Sequence, residues 1–161
     1  MTKVLILGAK GMLGREFLDF FELHKEYQTI PVDKDNFDIK SFSSVKSALN
    51  KYKPDFVINC AALINVEYCE SHPIEAYSVN SFGPGNIARA LADLEFKKTK
   101  FIHISTSDVF GGEKKFFKES DNPNPVNVYG WSKFLGEKIL EQESKASSSR
   151  YFIIRTNSLY S

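Results

Sequence analysis

Short apolar runs alternate along the chain with longer stretches in which apolar residues recur every three to four positions. The runs are nearly continuous in apolar residues, as is typical of strands that are covered on both faces of a parallel sheet. They predict strands at residues 4–7, 56–58, 101–104 and 151–154, with a weaker strand at 28–32. The periodic stretches predict helices at residues 13–24, 42–52, 73–96 and 128–142. This alternation predicts an α/β fold with a doubly wound parallel sheet.

The composition is that of an ordinary globular domain. The chain has 161 residues, of which 42% are hydrophobic and 25% charged, so it can bury one core. A net charge of +1 gives no electrostatic basis for binding nucleic acid. No apolar stretch approaches the roughly 20 residues that a membrane span needs, and no charged leader precedes the first strand. We therefore expect a cytoplasmic protein with no nucleic-acid or membrane partner.

The cysteines and histidines do not form a pattern that predicts a metal site. Cys60 and Cys69 are the only cysteines, and Cys60 lies in an apolar run, so we expect free thiols rather than a disulfide framework. The three histidines, His24, His72 and His103, lack the spacing of metal ligands. No bound metal is expected.

A glycine-rich turn follows the first predicted strand. Residues 8–14 read Gly-Ala-Lys-Gly-Met-Leu-Gly, a GxxGxxG pattern between a strand and a helix. Glycines there allow a tight turn and a close approach of the backbone to a pyrophosphate, which the helix N-terminus would bind. The pattern predicts a Rossmann-type NAD(P)-binding domain. The residues of the turn expected to contact the cofactor are Gly8, Lys10, Gly11, Met12, Leu13 and Gly14.

The end of the second predicted strand bears on the choice between NAD and NADP. Asp33 lies there, where a carboxylate can accept hydrogen bonds from the adenosine ribose and would repel a 2′-phosphate. Lys34 and Lys10 lie close to it in sequence and would attract that phosphate. The pattern favours NAD over NADP but does not decide between the two cofactors.

A tyrosine and a lysine lie four residues apart at the start of the last predicted helix. The spacing of Tyr129 and Lys133 puts a phenol and an ammonium group on one face of that helix. A neighbouring cation lowers the pKa of a phenol toward the pH at which the protein works, so that the phenol can exchange a proton with a substrate oxygen. After a glycine turn and four strands, this pair predicts a proton-transfer site.

With these motifs the chain resembles the extended short-chain dehydrogenase/reductase superfamily, and within it the dTDP-4-dehydrorhamnose reductases. The resemblance covers essentially all of residues 1–161. Besides the glycine turn and the pair at positions 129 and 133, it rests on Asp38-Ile39, Asn59-Cys60-Ala61-Ala62, Cys69-Glu70, Pro73, Val79-Asn80, Ser105-Thr106, Asn124-Pro125, Asn127-Val128, Gly130, Ser132, Gly136-Glu137 and Arg155-Thr156.

The resemblance implies further cofactor contacts outside the turn. Asp38 and Ile39 would flank the adenine. Ala61 and Ala62, with Cys60 beside them in the cofactor site, would line the path of the nicotinamide ribose.

The resemblance also implies a catalytic triad. Thr106 would hydrogen-bond the substrate carbonyl, Tyr129 would donate the proton, and Lys133 would hold the nicotinamide ribose and tune Tyr129. The reductases usually continue Thr-Asp-Tyr-Val-Phe here, whereas Thr106 is followed by Ser107 and Asp108. Dehydratases of the superfamily usually carry Thr-Asp-Glu, and because Ser107 cannot serve as their acid, dehydration is not expected. Epimerases of the superfamily carry varied residues at these positions, so an epimerase remains an alternative function.

Asn80 has two open interpretations. Pro84 follows it by four residues within a helical pattern and has no N–H for the Asn80 carbonyl, so the helix should kink there. In short-chain dehydrogenases an Asn on this helix takes part in a proton relay through Lys and water, which implies a catalytic role for Asn80. The alternative is a kinked helix with no chemical role.

The resemblance implies NAD(P)-dependent reduction of a 4-keto nucleotide sugar, as in dTDP-rhamnose and cell-surface polysaccharide synthesis. All three members of the triad are present, which favours an enzyme over a non-catalytic NAD(P)-binding regulatory subunit.

Relatives of this kind continue into a C-terminal substrate lobe, which is absent from this chain. We therefore expect one NAD(P)-binding domain over residues 1–161, the N-terminal part of a longer protein. Its last apolar strand would lie near an open sheet edge, which favours association into homo-oligomers.

Overall fold

The computed structural model describes residues 1–112, 116–146 and 150–157. Its centre is a sheet of five parallel strands in the order β2-β1-β3-β4-β5. The strands are β1 (Thr2–Leu7), β2 (Tyr27–Val32), β3 (Phe56–Asn59), β4 (Lys100–Thr106) and β5 (Arg150–Thr156). The helices are α1 (Met12–Glu22), α2 (Phe42–Tyr52), α3 (Val66–Ser71), α4 (Pro73–Tyr77), α5 (Gly83–Asp93) and α6 (Val128–Ala146). The chain winds outwards from β1 in two directions, which confirms the predicted doubly wound sheet.

Two apolar clusters cover the two faces of the sheet. Because side chains alternate along a strand, β1 contributes Leu5 and Leu7 to the larger cluster and Val4 and Ile6 to the smaller one. The larger cluster joins the strands to α2, α5 and α6, while α1 packs on the smaller cluster through residues such as Phe17. The central strands are therefore buried on both faces, as their continuous apolar runs predict.

The outer strand β5 departs from that prediction, because one of its faces is open. Tyr151 and Ile153 pack on the larger cluster. Phe152 and Ile154, on the opposite face, are 47% and 48% exposed. The apolar run at 151–154 is thus a strand covered on one face only.

The stretch predicted as one helix at residues 73–96 consists of three consecutive helical segments. α4 continues into a π-helical turn at Ser78–Phe82, and α5 follows and ends at Asp93. Pro84 is the second residue of α5, just after the π-helical turn, so the helix accommodates the missing N–H by widening one turn rather than by breaking. The short helix α3 was not predicted, because six residues show too little of a helical period.

The segment predicted as a long loop leads into α6. Residues 111–112 and 116–127 form no helix or strand, and residues 113–115 lie outside the described residues. The Asn124 amide donates to the Val109 carbonyl at 3.0 Å, which holds the loop against the end of β4. α6 begins at Val128, as the sequence predicts.

Candidate functional site

The glycine turn joins β1 to α1 at the carboxyl end of the sheet. Gly8 has a φ of 75°, and a Cβ there would lie 2.7 Å from the Ala61 amide nitrogen, so glycine is required where these two loops meet. A Cβ on Gly14 would collide with the Gly8 carbonyl oxygen. Gly11 precedes α1, and no described side chain caps the helix, so its first N–H groups are available to a ligand. Such a turn can cradle a phosphate group.

A cleft of about 730 Å³ opens beside this turn. It is lined by the ends of β1, β2 and β3 and by the loop after β2, with Asp38 exposed at its rim and Ile39 buried. The predicted cofactor residues that line it are Gly8, Lys10, Gly11, Asp33, Lys34, Asp38, Ile39, Cys60, Ala61 and Ala62.

Asp33 connects the loop after β2 to the glycine turn. Its Oδ2 accepts a hydrogen bond from the Lys10 backbone N–H, and its Oδ1 accepts one from the Lys34 backbone N–H, both at 2.8 Å. The exposed Lys10 side chain pairs with Asp35, which raises the pKa of Lys10 and lowers that of Asp35. A carboxylate and two lysines therefore lie at the same end of the cleft.

A second cleft, of about 460 Å³, adjoins the first and shares Gly8, Gly11, Cys60 and Ala62 with it. The predicted residues found only in this second cleft are Met12, Leu13, Gly14, Thr106, Tyr129 and Lys133. The structure thus brings the glycine turn and the implied triad into two adjoining clefts.

The electrostatic setting of Tyr129 differs from the sequence prediction. Thr106 and Tyr129 line the same cleft. Burial raises the pKa of Tyr129, the Thr106 hydroxyl lowers it, and the negative charge of Asp108 raises it further. The pKa is therefore raised, not lowered toward the working range as expected from Lys133, because burial outweighs the other effects. A phenol in this state is held as a proton donor.

Lys133 is a buried cation at the inner wall of the second cleft. It is 2% exposed, and its Nζ donates to the Ile104 carbonyl at 2.6 Å. Burial lowers the pKa of Lys133 to about 8, and the carboxylate of Glu137, one turn further along α6, opposes that change.

Glu137 is a buried carboxylate whose role the sequence did not predict. Its Oε1 accepts a hydrogen bond from the Ser105 hydroxyl at 2.5 Å, and its Oε2 pairs with Arg155 Nη2 at 2.7 Å. These contacts tie α6 to β4 and β5 close to Lys133. The sequence feature that could have indicated this role is the spacing of four residues between Lys133 and Glu137.

Asn80 lies behind the two clefts and lines neither of them. Its Nδ2 donates to the Leu63 carbonyl and to the Ser132 hydroxyl, each at 2.9 Å, and its Oδ1 accepts from the Leu63 amide at 2.8 Å. The side chain therefore holds the loop after β3 against α6. The structure brings together the other predicted catalytic residues but leaves Asn80 apart from them.

Asp108 was not predicted to be a site residue, yet it lines the second cleft beside Thr106. The Thr106 hydroxyl donates to Asp108 Oδ1 at 3.2 Å and accepts from the Asp108 amide at 3.1 Å. The available signal was the departure from the Thr-Asp-Tyr pattern of the reductases.

Other kinds of site find no support in the described part of the chain. Cys60 and Cys69 are free, as expected, and burial raises the pKa of Cys60 to about 12, which keeps it a thiol. Across residues 1–112, 116–146 and 150–157 there is no group of three or more potential metal ligands. None of the described helices is both long and apolar enough to cross a membrane.

Comparison with known proteins gives consistent matches. The family model described as RmlD substrate binding domain matches residues 1–161. The dTDP-4-dehydrorhamnose reductase of Aggregatibacter actinomycetemcomitans is 35% identical over 158 residues, which are 98% of this chain and 51% of that protein. The crystal structure of the dTDP-4-dehydrorhamnose reductase from Bacillus anthracis in complex with NADP is 36% identical, with a TM-score of 0.87. That match covers 99% of this chain and 55% of the other.

A relative of another kind is the methionine adenosyltransferase 2 subunit beta of Bos taurus. It is 30% identical over 155 residues, which are 92% of this chain and 46% of that protein. The chain therefore spans about half the length of each of these three relatives. On the match over its whole length, the chain belongs to the RmlD substrate binding domain family, within the extended short-chain dehydrogenase/reductase superfamily.

Proposed function

We propose that the chain is the cofactor-binding part of an NAD(P)-dependent reductase that acts on a 4-keto nucleotide sugar. The observation that carries this proposal is the pair of adjoining clefts, one at the glycine turn and the other containing Thr106, Tyr129 and Lys133. A dinucleotide could extend across both clefts with a substrate carbonyl beside Tyr129. The relatives that are named as reductases support the same reaction.

In the proposed reaction each member of the triad has one task. The bound nicotinamide would supply a hydride to the keto carbon. Tyr129, whose raised pKa keeps it protonated, would give its proton to the substrate oxygen as negative charge builds there. Thr106 would donate a second hydrogen bond to that oxygen. The buried charge of Lys133 would stabilise the phenolate that is left.

The preference for NAD expected from Asp33 is not supported. The relative from Bacillus anthracis was crystallised with NADP. In this chain both carboxylate oxygens of Asp33 already accept backbone N–H groups, and Lys10 and Lys34 line the same cleft. We therefore propose that NADP(H) binds at least as tightly as NAD(H). Calorimetric titration with both cofactors tests this, and clearly tighter binding of NADH would contradict it.

We further propose that the substrate cleft is completed by residues outside this chain. The relatives are about twice as long as the chain. The exposed apolar face of β5, with Phe152 and Ile154, would be available to such residues. The full-length protein is therefore the one to assay for turnover.

A second candidate function is that of a non-catalytic NAD(P)-binding subunit of another enzyme. The similarity to the methionine adenosyltransferase 2 subunit beta favours it. The intact set of Thr106, Tyr129 and Lys133 in one cleft favours the reductase instead.

Oxidation of NAD(P)H in the presence of a panel of 4-keto nucleotide sugars separates the two candidates. In the full-length protein, Tyr129→Phe should lower kcat by about 10²–10⁴-fold, the usual contribution of a positioned general acid, with little change in cofactor Kd. Tyr151→Phe is the matched control, because its hydroxyl contacts the Ala88 carbonyl and it lines neither cleft. Cofactor binding without turnover of any such sugar would support the subunit, and an epimerised product would support an epimerase.

A further inference from the structure

Asp108 brings a carboxylate to the reacting end of the second cleft, at a position where the reductases usually carry a tyrosine. Its Oδ1 accepts the hydroxyl proton of Thr106 at 3.2 Å, and Thr106 in turn lines the second cleft together with Tyr129, whose pKa the Thr106 hydroxyl lowers. Three groups that can exchange protons therefore follow one another from Tyr129 through Thr106 to Asp108.

The outer end of this series faces a different opening. Asp108 also lines a smaller cavity of about 270 Å³, together with Ser107, Phe110, Val126 and Asn127. Tyr129 lines only the second cleft among the cavities described here. The partly buried Asp108 thus lines both the second cleft, which contains the phenol, and this smaller cavity.

The Asn80 side chain is occupied by contacts to the loop after β3 and to α6. Both N–H groups of the Asn80 amide are donated to Leu63 and Ser132, and its oxygen accepts from Leu63. Lys133 donates to the Ile104 carbonyl.

We propose that Asp108 returns protons to Tyr129 through Thr106 after each reduction; the proposal rests on the reductase function above. Reduction adds the nicotinamide hydride to the keto carbon and the Tyr129 proton to its oxygen, which gives an alcohol and a phenolate. The Asp108 carboxylate then takes up a proton from solvent, and the Thr106 hydroxyl passes its own proton to the phenolate as it receives the proton of the Asp108 carboxyl group, which restores the Asp108 carboxylate. A hydroxyl both donates and accepts, so Thr106 can serve both neighbours.

The first test measures the link between the carboxylate and the phenol without any turnover. The titration of Tyr129 is followed by NMR of its labelled phenolic carbon in this chain. Besides burial, the groups that raise the pKa of Tyr129 are the Asp108 carboxylate and the Cys69 side chain, which is a thiol at neutral pH. Asp108→Asn should therefore lower the pKa of Tyr129, because it removes the carboxylate charge. An unchanged titration would overturn the proposal.

The second test asks whether Asp108 supplies protons during turnover of the full-length protein. Asp108→Ala should lower kcat by up to about 10²-fold, the lower end of the range for a positioned acid, with little change in KM. Formate should restore kcat in proportion to its concentration, and Asp108→Glu should retain most of the activity. A loss of kcat that formate does not restore, or no loss at all, would overturn the proposal.

Asp93→Asn is the matched control for both tests. Asp93 lies at the end of α5, pairs with Lys46 at 2.7 Å and lines none of the clefts above. It should leave the Tyr129 titration and kcat unchanged. If wild-type protein turns over no 4-keto sugar, the proposed function fails and the relay fails with it, whereas turnover by the wild type with full kcat in Asp108→Ala overturns the relay alone.

Discussion

A buried ammonium group, that of Lys133, lies at the inner wall of the second cleft. Lys133 is 2% exposed and donates to the Ile104 carbonyl, while the nearest carboxylate, Glu137, is already paired with Arg155. Burial of a charge is unfavourable unless partners replace the lost water, and the pKa of Lys133 accordingly falls to about 8. The residue therefore serves the site at the expense of the stability of the fold.

Replacing Lys133 with methionine should stabilise the folded chain at neutral pH. The pKa falls from an ordinary value of 10.5 to about 8. At ~1.4 kcal/mol per pKa unit this corresponds to a cost on the order of 3 kcal/mol. The lost hydrogen bond to Ile104 offsets about 1 kcal/mol. Between pH 8 and 10.5 the unfolded wild-type chain binds more protons than the folded one, so wild-type stability should rise with pH relative to the variant.

Urea unfolding of both proteins across pH 7 to 9.5 measures this difference. Comparison with the variant is needed because the Cys60 thiol acts in the opposite direction. Its pKa is raised from 9.0 to about 12, so its contribution to stability is lost as pH rises above 9.0. Lys138→Met is the control, since Lys138 is exposed on the same helix and pairs with Glu141. Parallel stability curves for wild type and Lys133→Met would show that Lys133 bears no burial cost.

At the scale of secondary structure elements, the contact between α6 and the π-helical turn positions the site. The Ser81 hydroxyl donates to the Ser132 carbonyl at 2.6 Å, and Asn80 donates to the Ser132 hydroxyl. Gly136 lies so close that a Cβ there would collide with the Asn80 carbonyl oxygen. This contact fixes α6, and with it Tyr129, against the loops at the ends of the strands.

Gly136→Ala should destabilise the chain by about 1–3 kcal/mol, as is usual when a group is forced into a packed contact. The added methyl group meets backbone, which cannot move without separating α6 from the π-helical turn. Gly85→Ala is the matched control, because within 4 Å its Cβ would meet only one side-chain methyl group, Ile139 Cγ2 at 2.9 Å, and no backbone of another element. Alanine also gains about 1 kcal/mol of helix propensity at either position. Equal urea midpoints for the two variants would contradict this account.

The periodicity of the sequence predicted the five strands and the long helices, because long buried elements repeat their apolar pattern. It did not predict α3 or the π-helical turn, which are too short to show a period. The glycine turn, Thr106, Tyr129 and Lys133 came together as expected, since each lies at the carboxyl end of a strand or the start of α6. Asp108 was missed because its direction depends on the 3₁₀ turn at Ser107–Val109, and three residues are too few to show a period in the sequence.

At the scale of the whole molecule, the two edges of the sheet differ in how completely other elements cover their faces. β2 and β1 are covered by α1 on one face and by the larger cluster on the other. β5, at the opposite edge, presents Phe152 and Ile154 to solvent on the face away from that cluster. Exposed apolar side chains on an edge strand are a common site of association between protein chains.

We expect the isolated chain to associate with itself through this face of β5, and the double variant Phe152→Ser/Ile154→Ser to associate more weakly. The two side chains are 47% and 48% exposed, so serine there removes apolar surface from the exterior while the buried core stays intact. Sedimentation velocity over a range of protein concentrations measures the effect. Phe20→Ser is the matched control, because Phe20 is 53% exposed but lies on α1, on a different part of the surface. A monomeric wild-type chain at every concentration, or equal weakening by Phe20→Ser, would show that β5 does not direct association.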